Sequence, residues 1–182
     1  TNKHNLNEDE EKRKNAKKIT VYFNIKKENG EIEGDQRDLK LVFPNGKKRW
    51  REHHDKFIDV LVFDITDLIR NMPHMKKKWI GYDLFVNKQI ILEEDITIAE
   101  EVMVIGYPLG LKQGKTNFPI VRQGIIASQI GQTIIDKYVD DNGQKKERVI
   151  RGFLVDGGII PGSSGSPVVL KPVIGRVVKK TI

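Results

Sequence analysis

A chain of 182 residues is long enough for one domain, or for two small lobes around a shared site. Apolar residues make up 38% and charged residues 31%, which leaves material for a core and excludes wholesale disorder. Cysteine is absent, so disulfides and thiolate metal sites are excluded, and the net charge of +7 raises the question of an anionic partner.

No apolar stretch approaches the ~20 residues that a membrane-spanning helix needs, and no secretory leader is visible at Thr1. The cysteine-free composition is compatible with a reducing compartment and leans toward the cytoplasm. The bases cluster at Lys12 to Lys18, Lys47 to Arg51, Lys76 to Lys78, and at Lys145, Lys146 and Arg148, with Trp50 and Trp79 beside two of the clusters. They read as solvated loops and strand edges, where lysine blocks unwanted pairing. A basic nucleic-acid-binding β-domain is the lesser reading, because no helix-turn-helix, RNA-recognition or zinc-finger pattern accompanies the charge.

Residues 7 to 18 are polar throughout and predict an exposed loop or a short surface helix. Residues 19 to 27 are rich in β-branched and aromatic types and predict a strand, closed by an Asn29-Gly30 turn. A second strand is expected near Leu39 to Phe43, followed by a turn at Pro44-Asn45-Gly46. Residues 57 to 65 predict a strand buried on both faces, with Asp59 inside it or at its start. A carboxylate there needs hydrogen-bonding partners. From Thr66 to Asp95 a short helical turn and a linker with one strand near Gln89 to Leu92 are expected. Strands then recur at Glu101 to Ile105, Ile120 to Ser128, Thr133 to Tyr138, Arg148 to Val155, Ser166 to Leu170 and Val173 to Val178. Asp141-Asn142-Gly143 and Gly157-Gly158 punctuate them. Many short strands with few helices predict an all-β barrel or sandwich.

The sharpest segment is Pro161-Gly162-Ser163-Ser164-Gly165-Ser166-Pro167. Taken alone it is a tight turn leading into the strand Val168-Val169-Leu170. Gly162 and Gly165 flank Ser164 without side chains, so backbone N–H groups can converge beside an exposed hydroxyl, as an oxyanion hole requires. Three other segments are each ambiguous. Thr1-Asn2-Lys3-His4 ends on a histidine that could equally be a surface residue. Asp59-Val60-Leu61-Val62 opens an apolar run with an acid that could equally cap a strand. Gly106-Tyr107-Pro108-Leu109-Gly110 is a turn, and Gln123-Gly124-Ile125-Ile126-Ala127-Ser128 a strand.

Together these segments resemble the trypsin-like (chymotrypsin-fold) serine peptidases, nearest to the bacterial HtrA-like branch. Gly162, Ser164, Gly165 and Pro167 match the family's G-(D/N)-S-G-G-P nucleophile loop. His4 matches the end of its V-T-N-x-H strand, Asp59 its D-(L/I)-A-(V/L) strand, and 106–110 its G-x-P-x-G turn. The order His, Asp, Ser is that of chymotrypsin, not of subtilisin or the α/β-hydrolases.

The resemblance implies two antiparallel β-barrels, residues 1–97 carrying a partial first barrel and the linker, and 98–182 a partial second. It implies a serine endopeptidase acting on a polypeptide substrate, with His4, Asp59 and Ser164 as triad and the backbone N–H groups of Gly162 and Ser164 as oxyanion hole. His53 and His54, close to Asp59, are alternative bases. The primary pocket takes its base from Gly158, six positions before the nucleophile, so a side chain without charge is expected there. No metal or cofactor is implied, and no ligand cluster suggests one. Ser163 stands where the digestive enzymes carry Asp, and Ser166 replaces their second glycine. Only 18 residues follow Ser164, where the family's fold implies two further strands, and the strands before His4 are absent, so the chain reads as a fragment lacking barrel edges at both ends. The alternative is a catalytically inactive module of the same fold used for binding or scaffolding.

Overall fold

Residues Lys18–Lys26 alternate apolar and polar side chains and form β1, which turns at Glu28–Gly30 into β2, Ile32–Lys40. The two pair antiparallel over their full length, from Lys18 opposite Lys40 to Lys26 opposite Ile32. The computed structural model describes residues 1–2, 12, 15–55, 57–77, 80–140, 142–158 and 160–172. His4, most of the polar stretch 7–18 and the strand expected at Val173 to Val178 lie outside the described residues.

The described chain is all-β, with strands dominating and helices few and short. The strands form four sheets of three, four, two and two strands, and none of these closes into a barrel among the described residues. The chain divides into two compact units. The first comprises Thr1–Trp79, Gly106–Ile120 and Ile160–Ser166, and the second Ile80–Ile105, Val121–Ile159 and Pro167–Ile182.

In the first unit, β3 (Trp50–Glu52) pairs antiparallel with β4 (Leu61–Phe63), and β5 (Met75–Lys76) pairs with the free edge of β1. Leu41, Trp50 and Leu61 form the core, with Ala16, Ile19 and Phe63 packed against it. The second strand spans Ile32–Lys40 rather than Leu39 to Phe43. Its middle, Asp35-Gln36-Arg37-Asp38, is too polar to announce a strand, yet β1 satisfies its backbone, and Thr20 Oγ1 and Lys18 Nζ both donate to Asp38. The strand expected at 57–65 shrinks to Leu61–Phe63, and it is not buried on both faces. Leu61 points inward while Val60 and Val62 remain 47% and 58% exposed, the alternation of a half-covered strand. A five-residue helix, α1, follows at Thr66–Arg70 as expected.

In the second unit, β6 (Glu101–Gly106), β7 (Ile120–Ile126), β10 (Val155–Asp156) and β11 (Val168–Leu170) form one sheet in the order β10-β7-β6-β11. Strands β8 (Thr133–Val139) and β9 (Lys145–Arg151) form a hairpin. The core consists of Ile96, Val102 and Ile126. Where a strand was expected near Gln89 to Leu92, the chain forms a helix, α2, at Lys88–Glu93. The isoleucine pair suggested β-structure. The side chain of Asn87 overrides it by accepting hydrogen bonds from the N–H groups of Gln89 and Ile90, at 2.9 and 3.0 Å. The helix then lays Ile90 and Ile91 against the core.

Candidate functional site

The segment Ile160–Ser166 makes two consecutive reverse turns. Ser163 N–H donates to Ile160 O at 3.3 Å, and the Ser163 hydroxyl donates to the same carbonyl at 2.7 Å. Ser166 N–H donates to Ser163 O at 3.0 Å. Gly162 and Gly165 occupy the third position of each turn with φ of +88° and +81°, a region that glycine enters without steric cost. Ser164 sits at the second position of the second turn and is exposed.

The turns rest on the Tyr107–Gly110 segment. Leu109 N–H donates to Pro161 O at 2.8 Å, and Gly110 N–H closes its own turn on Tyr107 O at 3.0 Å. A Cβ on Gly162 would lie 2.6 Å from Leu109 N and 2.9 Å from Tyr107 O, so the two backbones touch there. Gly106 packs in the same way against the Ser166 side chain. The Tyr107 hydroxyl donates to Asn117 O at 2.7 Å, and burial pushes its pKa above the usual tyrosine value.

The other side of the second turn meets the chain's first residues. A Cβ on Gly165 would lie 2.6 Å from Thr1 Oγ1 and 2.9 Å from Thr1 Cα. Thr1 exchanges two backbone hydrogen bonds with Leu61, at 3.0 and 2.8 Å, as an antiparallel pair does. One residue on, Asn2 Nδ2 donates to Asp59 Oδ2 at 3.4 Å. The backbone leading toward His4 thus touches both the Ser164 turn and the segment carrying Asp59. His4 itself lies outside the described residues. Asp59 precedes β4 by two residues and is exposed, not held inside a strand. The carboxylate that was expected in a buried run therefore lies at the surface.

Of the alternative bases, His53 uses Nδ1 to accept from Asp55 N–H at 3.1 Å, and its ring stacks on His54 with centroids 4.4 Å apart. An Nδ1 that accepts cannot at the same time donate to a carboxylate, as a triad histidine must. Gly158 belongs to the second unit, is exposed, and has its carbonyl held by Arg122 Nη1 at 3.0 Å. Arg122 and Asn117 carry no local motif, so nothing in the sequence singled them out. Among the described residues, no group of three or more His, Asp and Glu side chains is placed to hold a metal ion. No described helix is long and apolar enough to cross a membrane.

No family model matches the chain, and no solved structure matches it. Among curated proteins it is similar to the serine protease HtrA-like protein of Staphylococcus aureus (strain bovine RF122 / ET3-1). The two are 27% identical over 143 residues, covering 78% of this chain and 16% of that protein. The chain thus spans well under two thirds of that relative's length. The similarity supports, at a coarse level, a relationship to trypsin-like serine peptidases.

Proposed function

We propose that this chain is the larger part of a trypsin-like peptidase domain that hydrolyses peptide bonds through Ser164, His4 and Asp59. The observation that carries the reading is the turn presenting Ser164 between two positive-φ glycines, with Thr1 and Asn2 against both that turn and the Asp59 segment. His4 follows Asn2 by two residues, a chain reach of at most about 7 Å. The similarity to an HtrA-like serine protease points to the same class.

In this mechanism His4 takes the proton of Ser164 Oγ as that oxygen attacks the peptide carbonyl carbon. Asp59 holds the imidazole in the tautomer that leaves Nε2 free to accept, and stabilises the imidazolium once formed. The backbone N–H groups of Gly162 and Ser164 donate to the oxyanion. His4 then protonates the leaving amine, and water hydrolyses the acyl-enzyme. Gly158 contributes no charge to the primary pocket, so the reading favours substrates with an uncharged side chain before the scissile bond. Two incomplete barrels of chymotrypsin type, 1–97 and 98–182, are the architecture this reading implies. No cofactor takes part.

The exposure of Asp59 favours a second reading, a catalytically inactive module of the same fold that binds polypeptides. Turnover of a peptide library separates the two. In chymotrypsin-type enzymes, changing the triad aspartate to asparagine lowers turnover on the order of 10⁴-fold through the wrong imidazole tautomer. Asp59→Asn is expected to do the same. Cleavage that is equal in the variant and the parent removes Asp59 from the triad, and no cleavage by either favours the binding module.

A further inference from the structure

Asn117 is 5% exposed, one of two buried polar side chains in the described chain, and its hydrogen bonds reach far in sequence. Its Nδ2 donates to Phe23 O at 2.7 Å and to Asp35 O at 3.0 Å, bridging β1 and β2. Its N–H donates to Asn24 Oδ1 at 2.7 Å, and its carbonyl accepts from the Tyr107 hydroxyl. Two residues away, Lys115 O accepts from Gly34 N–H at 2.7 Å. A Cβ at Gly34 would lie 2.8 Å from Asn117 Nδ2, so the loop is pressed against the hairpin.

The other end of this loop is the Tyr107–Gly110 turn on which Pro161 and Gly162 rest. The path is continuous: hairpin carbonyls, Asn117, Tyr107, Leu109 N–H, Pro161 O, Gly162. Each link is a hydrogen bond or a short stretch of covalent chain, all inside one compact unit. A loop of this kind otherwise has few ways to fix its height over the sheet, because its own turn bonds are local.

We propose that Asn117 and Tyr107 are positioning residues for the oxyanion hole, setting the height of the Gly162 N–H relative to Ser164. The proposal rests on the peptidase reading above. Neither side chain touches the reacting atoms. Both act through the backbone of the Tyr107–Gly110 turn. Oxyanion donors work only when aimed at the developing charge, and a displacement of about 1 Å can lower a rate on the order of 10²-fold.

The test uses Tyr107→Phe, which removes only the hydroxyl, and Asn117→Ala, which removes the two side-chain hydrogen bonds to the hairpin carbonyls and keeps the backbone one to Asn24. Second-order labelling by a fluorophosphonate is measured for each purified protein under conditions where a urea titration shows it fully folded. Backbone amide resonances of Gly162 and Ser164 are recorded in parallel. The expected result is a roughly 3- to 10-fold slower labelling for Tyr107→Phe and on the order of 10²-fold for Asn117→Ala, with both amide resonances displaced. A lower urea midpoint with unchanged labelling and unmoved amides assigns the two residues to stability alone and overturns the proposal. If the parent protein is not labelled, the peptidase reading fails separately. The amide resonances then decide the positioning claim: displacement upholds the mechanical link, and unmoved resonances refute it.

Discussion

Replacing Gly162 with alanine measures how tightly the candidate nucleophile turn is held. At φ of +88° an alanine meets backbone strain of about 1–3 kcal/mol. The added Cβ would lie 2.6 Å from Leu109 N, 2.9 Å from Tyr107 O and 3.3 Å from Leu109 Cα, all backbone atoms that cannot rotate aside. Relief requires the two segments to part, which endangers the Leu109 N–H to Pro161 O bond, a further contribution of about 1 kcal/mol. The sum is about 2–4 kcal/mol. Gly46→Ala is the internal control: its φ is +80°, but nothing lies within 4 Å of an added Cβ, so only the conformational part applies. Urea unfolding reads both. With a slope of about 2 kcal/mol per molar, Gly162→Ala is expected to lower the midpoint by about 1–2 M and Gly46→Ala by less. Equal midpoints for the two variants would refute the close approach of Gly162 to the Tyr107–Gly110 turn.

Two further outcomes follow from the burial of single side chains. Tyr107 has a raised folded-state pKa because burial disfavours the phenolate, so its contribution to stability is complete below the unfolded value near 10. That contribution is lost as pH rises through the raised value. The difference in absorbance at 295 nm between the parent and Tyr107→Phe should therefore show this tyrosinate forming at higher pH than that of a free tyrosine, and a midpoint at or below the free value contradicts the raised pKa. Leu61 is fully buried in the core of the first unit, so Leu61→Ala is expected to destabilise by about 2–5 kcal/mol in urea, whereas Val62→Ala, at 58% exposed, should change little.

The parts of the fold that were legible in the sequence are those where local chemistry and tertiary demand agree. Strand β1 announces itself by β-branched and aromatic residues, and the turns at Asn29-Gly30 and Pro44-Asn45-Gly46 by their composition. Strand β2 was shifted because its polar middle is stabilised by pairing, which single-chain periodicity cannot register. Helix α2 was read as a strand because two isoleucines outweighed the Asn87 cap. The core of β4 was overextended because a continuous apolar run does not reveal which face is covered. At the candidate site, the glycine and proline content around Ser164 announced a tight turn, and the structure makes two in succession. The Thr1–Leu61 pairing and the Asn117 bridge were invisible, since their partners lie 60 to 94 positions apart. The exposure of Asp59 was likewise missed, because an acid before an apolar run looks alike whether the strand begins at it or two residues later.

The most direct test of the central claim is covalent labelling of the purified protein with a fluorophosphonate, followed by peptide mapping of the modified residue. One adduct is expected, on Ser164, with its loss in both Ser164→Ala and His4→Ala, since an unassisted serine hydroxyl is a weak nucleophile. A folded protein that takes no label, or that labels equally well after His4→Ala, would contradict the proposed triad.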